Sequence, residues 1–75
     1  MVFGPKELRK SGEALFGPRW QTDIARALDV NSRRVRQWIK GDRPLPGTID
    51  KEIKKLLEDR KLKIENVLNT IKNFE

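Results

Sequence analysis

Glycine and proline, together with the turn-favouring Asp29-Val30-Asn31, cut this chain into four pieces of helix length, and each piece carries its apolar side chains at helical intervals. Gly4-Pro5 opens the first and Gly17-Pro18 closes it, while Gly41 and the connector Asp42-Arg43-Pro44-Leu45-Pro46-Gly47 separate the third from the fourth. No run alternates apolar and polar residues as a half-buried strand does, and no internal repeat appears. The expectation is an all-α domain.

In the first piece, Pro5 suits the first helical position, and Leu8, Leu15 and Phe16 supply an inward face. Ser11-Gly12 in its middle argues against an unbroken helix from Pro5 to Phe16. The second piece runs from about Trp20 to Leu28, with Ile24, Ala25 and Leu28 on one stripe, and Asp29-Val30-Asn31 breaks it. Trp20 is placed to staple the start of this helix. Asn31 has the side chain to cap a third helix from Ser32 to Lys40, with Val35, Trp38 and Ile39 inward and Gly41 as its stop. The fourth starts at Thr48 as N-cap and continues to about Asn73. Its stripe of Ile53, Leu57, Ile64, Leu68 and Ile71 is interrupted by Arg60 and Lys61, so the two halves are expected to bury against different things.

A chain of 75 residues closes one modest core, and with 36% hydrophobic residues and no cysteine the usual reinforcement of small folds is missing apart from self-association. The absence of histidine removes the commonest general base and metal ligand. Binding is therefore expected rather than catalysis, with no cofactor and no metal. A net charge of +6 and an isoelectric point near 10.1 point to a polyanionic partner. Residues 1 to 47 hold ten basic and five acidic side chains, net +5, against seven and six, net +1, in residues 48 to 75. The adhesive charge belongs to the N-terminal two thirds. With no apolar run of spanning length and no secretory signal in MVFGPKELRK, the expected location is the cytoplasm.

On a helical wheel, Ser32, Arg33, Arg36, Gln37 and Lys40 fall on one side of the third helix and Val35, Trp38 and Ile39 on the other. The polar side carries no carboxylate. Arginine can bond both acceptors of guanine, glutamine can pair with adenine, and serine or lysine can contact base or phosphate. A face without acids also avoids repelling phosphates. The plain alternative is the solvated face of a surface helix.

Residues 21 to 40, QTDIARALDVNSRRVRQWIK, resemble the helix-turn-helix of the lambda-repressor-like and Cro-like transcription regulators. The buried pattern of that family is matched in kind by Ile24, Ala25, Leu28, Val30, Val35 and Trp38. Alanine at position 25 fits two helices that cross closely. The family's usual glycine in the turn is Asp29 here, a residue that tolerates positive φ better than most. The longer stretch from Leu15 to Pro46 is also similar to small bacterial and phage-encoded members with a tryptophan before the second helix and a W-x-x-G-x-R-x-P type tail.

The resemblance implies a compact four- to five-helix domain with an extended C-terminal helix. Residues 1 to 47 would form the DNA-binding core, and residues 48 to 75 would complete it and serve as a candidate dimerisation element. It further implies that Ser32, Arg33, Arg36 and Gln37 face bases, and that Gln21, Thr22, Arg34, Lys40 and Arg43 lie on or near phosphates. For Arg34 and Arg43, plain solvent exposure is an equal alternative. Readers with one short recognition helix usually bind two half-sites as a symmetric dimer. Ile64, Val67, Leu68 and Ile71 offer coiled-coil-like spacing for it. The competing expectation is that this segment folds back onto the core.

The function expected is a sequence-specific double-stranded DNA-binding transcriptional regulator of repressor type, acting as a homodimer without a small-molecule effector. Two alternatives stay open: a phage or mobile-element packaging or recombination accessory, and an antitoxin-like adaptor using residues 48 to 75. A membrane-surface role is disfavoured, because the apolar residues of the short helices are needed for the core.

Overall fold

Pro5 fixes the first helical turn and brings no amide that would go unpaired there. The Gly4 amide just before it donates to Glu7 Oε1 at 2.9 Å. These two features start α1 (Pro5–Phe16), the first of four helices in a computed structural model that describes residues 3–74. The others are α2 (Trp20–Ala27), α3 (Ser32–Lys40) and α4 (Ile49–Lys72), with no strand among the described residues. Of the two segments read from the sequence, the outermost positions Met1, Val2 and Glu75 lie outside the described residues.

α1 runs unbroken through Ser11-Gly12. The Ser11 hydroxyl donates to the Glu7 carbonyl at 2.8 Å, one turn back, so it does not compete with the helix. Gly12 is buried, and a Cβ built there would fall inside the Trp20 indole. The glycine that looked like a weak point is the seat of a tryptophan.

Gly17, at φ 82°, reverses the chain into α2. α2 in turn ends in a tight reverse turn: the Val30 amide donates to the Ala25 carbonyl at 2.9 Å and the Asp29 amide to the Arg26 carbonyl at 3.2 Å. This pairing needs one left-handed residue, and Asp29 supplies it at φ 57°. α3 closes in the same way, with Asp42 donating to the Gln37 carbonyl at 2.9 Å, Gly41 to the Trp38 carbonyl at 3.2 Å, and Gly41 at φ 83°. α4 begins differently from expectation. Thr48 precedes it with ψ 1° and no side-chain cap, since a capping side chain needs extended backbone. The Pro46 carbonyl accepts from the Ile49 amide at 3.2 Å instead.

The core is Leu8, Leu15, Trp20, Ile24, Ala25, Val35, Trp38, Ile49 and Ile53, drawn from all four helices. Phe3, Phe16, Leu28, Val30, Ile39, Leu45, Leu56 and Leu57 are half-buried around it. α1 packs on each of the other three helices, and α2 also packs on α3.

Only the first turns of α4 reach this core. Twenty-four residues make a rod of about 36 Å, and the molecule measures 50 × 25 × 19 Å. The distal half projects. Ile64, Val67, Leu68 and Ile71 are 52–59% exposed, so the segment does not fold back. The chain from Thr48 onward holds no glycine or proline that would let it reverse. Arg60, the cation that interrupts the stripe, places its guanidinium 5.4 Å from the centre of the Phe16 ring. It closes the core's edge by a cation–π contact. Lys61 pairs loosely with Glu65 at 3.9 Å. Among the described residues no helix is long and apolar enough to cross a membrane.

Replacing Gly12 by alanine should lower stability by about 1–3 kcal/mol through overpacking against Trp20, despite alanine's better helix propensity. Chemical denaturation would measure it. The Glu7 carboxyl is held below the usual carboxylate range by the Gly4 amide, its own amide and the charges of Lys6 and Lys10. Its contribution is therefore complete above about pH 4.3, and is lost as pH falls through the lowered folded value. Melting temperatures of Glu7→Gln should decline less steeply than those of the parent below that pH.

Candidate functional site

α3 is nine residues long, too short to hold itself in water. Its conformation comes from its ends and its buried side. At the start, Asn31 has extended backbone, and its Oδ1 accepts from the Arg33 amide at 2.8 Å. At the finish, the Gly41 and Asp42 amides donate to the Trp38 and Gln37 carbonyls. Val35 and Trp38 are buried in the core, which fixes the rotation of the helix and therefore what it shows outside.

Arg33, Arg34, Arg36 and Lys40 are exposed, whereas Ser32 and Gln37 are half-buried at the margins of that surface. The reverse turn at Gly41 brings Arg43 back alongside the helix. Arg33, Arg34, Gln37 and Arg43 line one concavity of about 250 Å³ together with Asn31. Arg34 and Arg43 also line a neighbouring one of about 380 Å³ with Trp38, Pro44 and Pro46. Arg36 and Lys40 stand outside both, farther round the helix. Gln21 and Thr22 lie in the first turn of α2, half-buried and exposed respectively, and belong to neither hollow.

The electrostatics are one-sided. Among the described residues no carboxylate pairs with Arg33, Arg34, Arg36, Lys40 or Arg43. Asp23, in the first turn of α2, is 3.9 Å from Arg26. Of Arg33, Arg34, Arg36, Lys40 and Arg43, four are guanidinium cations. Gathering several of them without counter-charge is unfavourable for the isolated chain. An anion laid across them relieves the repulsion.

The sequence did not reveal that Arg34 and Arg43 share two hollows, because their meeting depends on the turn at Gly41. It also left out Lys6 and Arg9, which line a hollow of about 240 Å³ with Pro5 and Ile39, where α1 passes the end of α3. Only their charge marked them.

No protein-family model, curated protein or solved structure matches the chain. What the site does has to be read from its own chemistry.

Asn31→Ala removes the cap that starts α3 and should cost about 1 kcal/mol. A fall of roughly 4–8 °C in thermal midpoint would register it.

Proposed function

We propose that this chain is a sequence-specific double-stranded DNA-binding protein, a transcriptional regulator of repressor type that reads the major groove with α3. One observation carries the reading. The outward surface of α3 is rich in arginine and free of carboxylates, and its inward side is locked into the core. Such a helix arrives at a polyanion already oriented.

The tight turn between α2 and α3 supports the finer reading of a lambda-repressor-like helix-turn-helix. Asp29 takes positive φ at the position where the resembling family usually has glycine. In this arrangement Arg33 and Arg36 address guanine edges, and Gln37 and Ser32 reach bases from the margins of the same surface. Arg34, Lys40 and Arg43 grip phosphates, fixing register without carrying sequence information. Gln21 and Thr22 hold a phosphate at the start of α2, where the first-turn amides have no side-chain cap.

Selection of bound sequences from a random double-stranded pool at near-physiological salt should enrich one motif. Arg33→Ala and Arg36→Ala should each weaken binding to it by about 10- to 100-fold and relax base preference locally. Arg34→Ala and Arg43→Ala should weaken all sequences alike, each lowering the salt slope by about 1. An unenriched pool, or full specificity in the Arg33 and Arg36 variants, would overturn the proposal.

A further inference from the structure

The α4 stripe continues past the core without changing direction. Ile53, Leu57, Arg60, Ile64, Val67, Ile71 and Phe74 follow one another at alternating steps of four and three residues, the spacing of a coiled-coil seam. The near end of this seam is filled by the chain's own core, through Ile53, Leu57 and the Arg60 contact with Phe16. Beyond Arg60 no described residue covers it. Ile64, Val67, Ile71 and Phe74, with Leu68 beside them, are 52–86% exposed and line up along one side. Arg60, Lys63, Ile64, Val67 and Leu68 border a shallow groove of about 310 Å³ there. Leu62 is also exposed, but it points to the opposite side and stands alone.

We infer that this strip is covered by the same strip of a second copy, with the two distal helices running antiparallel. Area, charge and shape point to that occupant. The five side chains offer on the order of 500 Å² of contiguous apolar surface, the upper end of what a monomer leaves bare. Two such strips face to face bury about 1,000 Å², the lower limit of a specific interface. Within residues 64 to 74 the only charges are Glu65 and Lys72, which cancel, so a chain of net charge +6 meets its copy here without repulsion.

Shape decides the direction. The globular body sits on the same side of α4 as the seam, at the level of residues 49 to 57. In a parallel pair each body would occupy the space between the helices that the other body needs. It would also set Arg60, Lys61 and Lys63 of the two copies side by side. An antiparallel pair places the bodies at opposite ends and keeps those cations apart. The two-fold axis then passes near Val67 and Leu68, and Ile64 of one copy meets Ile71 of the other. The contact is isologous and closed, so association stops at two. It does not depend on what α3 binds.

Sedimentation equilibrium of the full chain at tens of micromolar should give twice the 8.8 kDa chain mass. Leu68→Glu should return the monomer mass while the near-ultraviolet circular dichroism of the buried Trp20 and Trp38 is unchanged, since Leu68 lies outside the core. Direction is tested separately, in a chain that has no native cysteine. Mixed Ile64→Cys and Ile71→Cys chains should cross-link to each other on mild oxidation, and neither should cross-link to itself. A disulfide needs Cα atoms closer than about 7 Å, which antiparallel pairing denies to two copies of one position. A monomer at these concentrations overturns the inference, whether or not it floats with phosphatidylcholine–phosphatidylglycerol vesicles. So does a larger oligomer. Self-linking of either single variant overturns the antiparallel arrangement.

Discussion

The Trp20 indole lies directly against the Gly12 backbone, and the rest of the molecule is built on that separation. It sets how closely α2 approaches α1. A larger residue at position 12 would push the two apart, and α3 would move with them, because its position is handed on from α2 through a turn of only a few residues. In a fold this small there is no spare layer to absorb such a shift. The orientation of the arginine surface therefore traces back in part to this contact between α1 and α2.

Two helix ends do related work with different residues. α2 and α3 finish in the same hydrogen-bonded reverse turn, one through Asp29 and the other through Gly41. The first turn aims α3. The second folds Arg43 back to line hollows with Arg33, Arg34 and Gln37. Charge that is scattered along the sequence becomes a surface only after both turns have closed, and Val35 and Trp38 keep it outward.

Much of this architecture was legible in the sequence, because its causes are local. Proline, glycine and Asn31 act within a turn of where they stand, so the bounds of α1 and α3 agree with expectation and those of α2 and α4 differ by about a residue. The left-handed Asp29 was legible only through the family resemblance, which puts glycine at that position. What escaped depends on contacts between distant positions. Gly12 reads as a helix breaker until Trp20 is seen upon it. Arg60 reads as a flaw in the α4 stripe until Phe16 is found beneath it. Ser32 and Gln37 fall on the polar side of an ideal wheel, yet neighbours half cover them. Thr48 has the composition of a cap, but its own backbone takes the wrong ψ for one. The face of α3 was legible as a list of side chains, and its concavities were not.

α4 is one unbroken helix whose two ends answer to different neighbours. At Ile49 and Ile53 a substitution is felt by the whole fold, while past Arg60 the helix touches none of the core. Substitutions in the projecting turns that keep the helix therefore leave the packing of the core alone. A lineage carrying this chain is free to rewrite the surface of that projection without reopening the question of how the body folds.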